Sequence, residues 1–386
     1  MIAYNSEWLK NLFIRQQAEE AFSRNCIAKD ELDNIKSQYL ALFYSPNFFI
    51  RVGMFVLTTV ILLFSFGIFL LFFLDSVDNI IGGLAIFFGF ISYAALEYFI
   101  ATKKHFQSGV DDALLWVSAS SIFGGISYLS NAGEIANCVI IFIISVYCSV
   151  RFADRLMSIL SYVSLLGIFY FSLTKAGPSS TAVVPFVMMA ISAIVYIVAK
   201  KIKSFNISWL YKDCLQIVSI AALLSFYFSG NYFVVFIVKE FAKETSFAQN
   251  VAVPFGWVFW IFTFVIPFIY IIRGIKTKDI VLIRVGLLLV AAILLTVQYF
   301  FSLLPAEVLM GIAGIVLILV SFGLTRYLKT TKHGFINEEE TFDNINEKSH
   351  IEALLQAQTL SPQLGISERR GFGGGDFGGG GASSDF

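Results

Sequence analysis

VGMFVLTTVILLFSFGIFLLFFL, residues 52–74, carries no charged side chain and follows directly on Arg51. About 20 consecutive apolar residues in a helix match the hydrocarbon thickness of a bilayer. Read with a nineteen-residue window, the rest of the chain repeats this pattern. Further spans are expected at 79–101, 110–130, 134–152, 155–174, 181–199, 210–229, 252–273, 279–301 and 305–326. Most loops between them are short, so consecutive helices should be antiparallel neighbours. The fold class expected is therefore an all-α integral membrane protein of about ten transmembrane helices.

The composition agrees. Of 386 residues, 57% are apolar and 14% charged, and the mean hydropathy is +0.77, whereas a soluble domain carries about 25% charged residues. The net charge is zero, which gives no electrostatic footprint for nucleic acid. Cys26, Cys138, Cys148 and Cys214 show no paired spacing, so neither a disulfide framework nor a zinc site is expected. His105, His333 and His350 are scattered, and structural zinc needs four clustered ligands. No cofactor is implied. The first fifty residues lack an early apolar stretch, so no cleaved signal peptide is expected.

Lys and Arg set the direction. Even-numbered loops carry Lys103, Lys104, Arg151, Arg155, Lys200, Lys201, Lys203, Arg273, Lys276 and Lys278, against Lys175, Lys239 and Lys243 in the odd ones. Arg51 before the first span and Arg326, Lys329 and Lys332 after the last agree, which predicts both termini inside. Residues 230–250 contain an apolar run too short to span. A helix lying at the outer interface is favoured over a continuation of the seventh span.

Four segments follow: 1–50, a cytoplasmic two-helix segment; 51–328, the transmembrane domain; 329–370, a cytoplasmic linker with a short amphipathic helix at about 346–358; and 371–386, a Gly/Phe-rich tail. In the first, a helix from Ser6 should place Trp8, Leu12 and Phe13 on one face. A second from about Asp30 should align Leu32, Ile35, Tyr39, Leu40 and Phe43, after a break at Asn25-Cys26-Ile27. Its apolar face should dock on the inner surface of the bundle. The tail GFGGGDFGGGGASSDF is too rich in glycine to offset its backbone entropy and is expected to be disordered. Two readings compete for it: an inert tail, or a docking peptide in which Phe372, Phe377 and Phe386 bind a partner protein by aromatic contacts and a free carboxylate.

This FGGGxFGGGGAS form with a terminal aromatic resembles the C-terminal ends of bacterial membrane-anchored families, including those with a TPM domain. The remainder does not resemble a TPM domain. The segment from Trp8 through Ile27-Ala-Lys-Asp-Glu to Gln38-Tyr39, then the first span, is similar to bacterial multi-pass membrane proteins of unknown function. Gly124-Gly125-Ile126-Ser127-Tyr128 adds to that likeness. The likeness implies the bacterial cytoplasmic membrane and no activity or site residue.

Most acidic residues near the spans fall where a helix begins: Asp111 and Asp112, Glu134, Asp213, Asp279, and Glu307 beside Pro305. There a carboxylate complements the helix dipole and the unpaired N–H groups. Glu97 and Arg284 stand at the opposite, disfavoured ends of their helices. Each lies about 6 Å in from the inner end at 1.5 Å per residue. Two readings compete: snorkelling to the interface, or a Glu97–Arg284 pair or polar vestibule shared with Asp111, Asp112 and Asp213. Small residues such as Ser118, Gly124, Gly125, Ser158, Ser161 and Ser164 should let helices approach closely. Pro185 and Pro254 interrupt spans, and Pro267 should kink the eighth.

No Ser-His-Asp order, HExxH, P-loop or GxSxG is present, so an enzyme is not expected. Ten spans divide into two groups of five. The odd count puts the halves in opposite orientation, as in an inverted repeat, which resembles the plan of the drug/metabolite transporter superfamily. Transport or export of a small solute is the function favoured. The alternative is a scaffold or regulatory membrane protein that recruits partners through its N-terminal hairpin and its tail.

Overall fold

The chain divides into two units at Asn337/Glu338. A computed structural model describes residues 2–23, 26–72, 77–176, 183–203, 210–244 and 255–301, with isolated positions between 308 and 326, all in the first unit. Twelve helices are described: α1 (Ser6–Ser23), α2 (Lys29–Gln38), α3 (Phe48–Leu71), α4 (Val77–Lys103), α5 (Val110–Ser130), α6 (Glu134–Phe152), α7 (Arg155–Lys175), α8 (Val184–Ile202), α9 (Lys212–Gly230), α10 (Tyr232–Glu244), α11 (Gly256–Thr277) and α12 (Ile280–Phe301). Among the described residues, nine of them, α3 to α9 with α11 and α12, are long and apolar enough to cross a membrane. They match the first nine spans read from the sequence. The tenth, 305–326, falls largely outside the described residues, as do the linker helix and the Gly/Phe tail with Phe372, Phe377 and Phe386.

Helix ends follow local chemistry. The Asn47 side chain caps α3 by accepting from Ile50 N, and Asp154 caps α7 by accepting from Met157 N at 2.7 Å. Asp279 caps α12, its Oδ1 accepting from Val281 N at 3.1 Å. Asn131, Ala153 and Lys278 end α5, α6 and α11 in the left-handed conformation, which reverses the chain within a few residues. The result is a succession of antiparallel hairpins: α4 with α5, α6 with α7, α8 with α9, α11 with α12. α9 also packs against α7, α10, α11 and α12. The end that holds Arg51, Lys103, Arg151, Lys200 and Arg273 is called the basic end below.

Two apolar cores divide between α7 and α8. One gathers Tyr4, Leu9, Leu96, Leu114, Phe152 and Met157; the other gathers Met189, Leu223, Tyr227, Ile266, Tyr270 and Leu289 from α8, α9, α11 and α12. Small residues bring α4 and α5 together as expected. A Cβ at Gly125 would lie 2.4 Å from the Gly82 carbonyl oxygen, a contact no side chain tolerates. Gly124, on the next face, has open space. In contrast, α3 buries none of its residues. Apolar surface on that scale is what a lipid-facing helix presents.

The N-terminal pair docks on the bundle, but not through the stripe expected. The buried residues of α1 are Leu9, Ile14 and Ala18, rather than Trp8, Leu12 and Phe13. Trp8 instead receives the Lys104 ammonium over its ring at 4.4 Å. α2 ends at Gln38, so Leu40 is exposed, while Phe43 packs edge-on to Tyr4 and Trp8 from the following extended segment. Two chain contacts fix the dock: Ala3 N donates to the Arg151 carbonyl at 2.8 Å, and Tyr44 N to the Lys104 carbonyl at 3.0 Å.

The stretch after α9 is a separate 13-residue helix, so the seventh span does not simply continue. At about 1.5 Å per residue, α10 is too short to cross a bilayer. α11 runs unbroken through Pro267, which is buried, and Pro185 sits in the first turn of α8, where its missing N–H costs nothing.

Candidate functional site

At the basic end, the loop between α4 and α5 turns through three left-handed residues, Lys104, Gln107 and Gly109. Asp111 holds it. Its carboxylate accepts from Gln107 N and Ser108 N, both at 2.8 Å, and from Ser108 Oγ at 2.9 Å. The Tyr4 hydroxyl adds a longer contact at 3.4 Å. Asp111 is 2% exposed, and these donors replace the water it has lost. It therefore braces the preceding loop rather than capping α5. Gly109 has φ +93°, and a Cβ there would meet the Arg51 carbonyl oxygen at 2.1 Å. Only glycine fits.

Arg51 closes the cluster. Its guanidinium bonds Asp112 at 2.9 Å through Nε and 2.7 Å through Nη2. Burial raises the Tyr4 phenol well above its ordinary value, and Asp111, Asp112 and Asp154 push it further. Tyr4 is thus a permanent donor at neutral pH. Burial also raises the Asp154 carboxyl, opposed by its bonds to helix N–H groups and by Arg51. The loop's His105 has Nδ1 2.7 Å from Ser108 Oγ, and burial lowers its pKa from 6.5.

Glu97 finds its counter-charge in Arg151, not in Arg284. Arg151 bonds Glu97 through Nη2 at 2.9 and 3.2 Å and through Nε at 3.1 Å. Tyr93 donates to the same carboxylate at 2.8 Å and lies 2.7 Å from the Tyr147 hydroxyl. Both charged side chains remain about 30% exposed. Asp213 pairs with Arg155 across α9 and α7. Arg284 is an exposed residue of α12, which packs on α11 and α9. Four of the five vestibule candidates, Glu97, Asp111, Asp112 and Asp213, thus fall in ion pairs or loop bonds at one end, and Tyr4, Arg51, Arg151 and Asp154 join them. Depth alone could not name those partners, because it does not say which helices are neighbours.

A second polar site lies toward the other end. Asn231 is the one residue between α9 and α10, in an extended conformation. It is 1% exposed. Its Nδ2 donates to the Tyr227 hydroxyl at 2.9 Å and to Thr296 Oγ1 at 3.1 Å. Its Oδ1 accepts from Phe233 N at 2.9 Å, starting α10. Tyr232 N donates to Thr263 Oγ1 at 3.0 Å. Thr263 is also the residue whose carbonyl Pro267, four positions on, cannot bond. A broken helix therefore meets a proline-bearing helix through neutral polar side chains. Below it, Tyr162 donates to Ser192 Oγ at 2.9 Å and Tyr270 to the Leu223 carbonyl at 3.2 Å. Uncharged hydroxyls thus recur along α7, α8, α9, α11 and α12. The signal in sequence was Gly230-Asn231 before an apolar run, the stop and start residues of two helices.

Comparison with protein-family models, with curated proteins and with solved structures gives no match. Among the described residues no three His, Cys, Asp or Glu side chains gather as metal ligands, and no two cysteines are joined in a disulfide.

Proposed function

We propose that the chain is a non-enzymatic multi-pass protein of a bacterial cytoplasmic membrane that moves a small polar solute. The observation behind this reading is the α9–α10 break at Asn231, whose next residue bonds Thr263 of α11, one turn before Pro267. Membrane helices tolerate broken backbone where protein covers it or a passage runs, and discontinuous helices mark transporter sites. The Tyr162, Ser192, Tyr227, Asn231, Thr263 and Thr296 groups carry no charge, which suits a neutral solute over an ion. Their hydrogen bonds are met by one another and by the backbone, as a shut gate requires. The basic end, inside by the Lys/Arg bias, is braced by ion pairs and serves as the fixed frame.

Single cysteines at 227, 263 and 296, in a chain with Cys26, Cys138, Cys148 and Cys214 replaced, test this in sealed vesicles. Labelling by a membrane-impermeant maleimide should change when a solute from a panel of amino acids, polyols and sugars is added. Complete protection under every condition would favour the scaffold reading. That reading has its own support in the N-terminal helices, which dock by one face and leave α2 largely exposed.

A further inference from the structure

Between Lys36 and Arg51 the chain runs fourteen residues, SQYLALFYSPNFFI, without a charged side chain. α2 stops at Gln38 and α3 starts at Phe48, so residues 39–47 link the two outside any helix. Exposure alternates along this link. Leu40, Leu42 and Tyr44 are half-exposed, whereas Ala41 and Phe43 are partly covered. That is the two-residue period of an extended chain with two faces.

The inner face is seated on the protein. Phe43 packs against Tyr4, Trp8 and Phe106. Backbone bonds hold the link in register: Asn11 Nδ2 donates to the Leu40 carbonyl at 3.0 Å, and Phe106 N donates to the Tyr44 carbonyl at 3.3 Å, beside the bond from Tyr44 N to Lys104. Leu42 therefore points outward between two pinned positions.

The outer face is continuous with α3. The Tyr44 hydroxyl reaches Met54 Sδ at 3.8 Å, on the second turn of that helix. Phe48 and Phe49, in its first turn, are 72% and 84% exposed, and α3 buries none of its residues. Contiguous exposed apolar surface marks an interaction site. Leucine and phenylalanine, with tyrosine, are the side chains that settle at the boundary between headgroups and acyl chains.

We propose that residues 40–50 form an interfacial anchor, with Leu40, Leu42, Tyr44, Phe48 and Phe49 set into the lipid surface at the basic end. The anchor lays the N-terminal helix pair against the membrane as well as against the bundle. The partner is lipid because the covering that α3 needs extends over the link without a break. A protein groove would have to begin where the lipid around α3 ends, and no charged residue marks such a boundary. The inference rests on the membrane reading of the chain.

The test uses the full chain with Cys26, Cys138, Cys148 and Cys214 replaced, in lipid nanodiscs that leave both membrane faces open to solvent. L40C, L42C and F49C each carry a bimane fluorophore. D33C, on the exposed side of α2, is the aqueous reference, and I61C, exposed on α3, is the lipid reference. Lipids brominated high on the acyl chain should quench L40C, L42C, F49C and I61C but not D33C. Aqueous iodide should quench D33C several-fold more than the other four. Iodide quenching of L40C and L42C equal to that of D33C would overturn the proposal. So would protection of both from bromine and iodide alike, which would put a second copy or another protein on this face. Iodide quenching of I61C would defeat the membrane reading itself, whereas I61C in lipid with L40C and L42C in water defeats the anchor alone.

Discussion

The Asp111 cluster and the Asn231 break are both buried and polar, yet they are built from different chemistry. The Asp111 cluster is built on ions, Asp111 held by the loop N–H groups, Ser108 and Tyr4, and Asp112 paired with Arg51, and it lies where helices end. Around Asn231 the groups are neutral and sit among the helices near the opposite end. An ion taken out of water needs a partner of opposite charge or several donors, and helix ends provide unpaired N–H groups. A neutral amide needs only hydrogen bonds. The difference teaches where each can be altered. The charged end is a frame that holds loops and the N-terminal segment, and the neutral break is closed by hydrogen bonds among uncharged groups.

Substitution at the break should have the largest effect. N231A leaves Tyr227, Thr296 and two backbone N–H groups without the Asn231 side chain. At about 1–3 kcal/mol per orphaned buried group, the loss should reach roughly 3 kcal/mol or more, read as a lower unfolding midpoint in detergent. N231D should be as damaging, since it adds a buried charge with no cation supplied. A wild-type midpoint for N231A would mean the break is not a closed network.

At the charged end, D111A should free the α4–α5 loop and release residues 2–9. Limited proteolysis near the N-terminus should accelerate, with a loss of about 2–3 kcal/mol. G109A should follow at about 2 kcal/mol, from its left-handed φ and the clash with the Arg51 carbonyl. If D111A kept the N-terminus protected, Tyr4 and Ala3 would dock without the brace.

Smaller effects sharpen the contrast. E97Q weakens a pair that is about one-third exposed, so its cost should stay under about 1 kcal/mol, unlike any change at Asn231. For pH, His105 has a folded pKa lowered by burial from 6.5, so the unfolded chain takes up the proton first. Stability should therefore be full above about 6.5 and fall as pH drops below it. H105Q should flatten that slope, measured as N-terminal protease protection between pH 7.5 and 5.5. Asp154 works in the opposite direction: its carboxyl is raised, so stability should fall as pH rises from the ordinary carboxyl value toward its folded one. W8A should cost least, about 0.5–1 kcal/mol for the lost cation–π contact.

Nine helices long and apolar enough to span are legible in the sequence, because a run of apolar residues between charges has one inexpensive solution in lipid. The bases at Lys103, Arg151, Lys200 and Arg273 recur at every second turn for the same reason. What could not be read was adjacency. Glu97 and Arg284 share a depth, but Glu97 faces α6, and Arg151 takes it. The stripe of α1 was misplaced because Trp8 and Leu9 are both apolar, and the choice between them lies with Lys104, a residue nearly a hundred positions on. The Asn231 break was half visible. The run Tyr232–Val238 is too short to span, but a single asparagine that ends one helix and begins another is evident only when Thr263 and Thr296 stand beside it.

The contact between Ala3 and Arg151 also carries a rule of timing. Chains are made from the N-terminus at about 5–20 residues per second, so residue 3 emerges many seconds before residue 151 exists. The earlier-made segment has only part of its seat, at Lys104, Phe106 and Asp111, until α6 is in place. During that interval Tyr4, Leu9 and Trp8 are incompletely covered, open to whatever else would bind them, and the finished N-terminal dock reports that α4, α5 and α6 have all arrived.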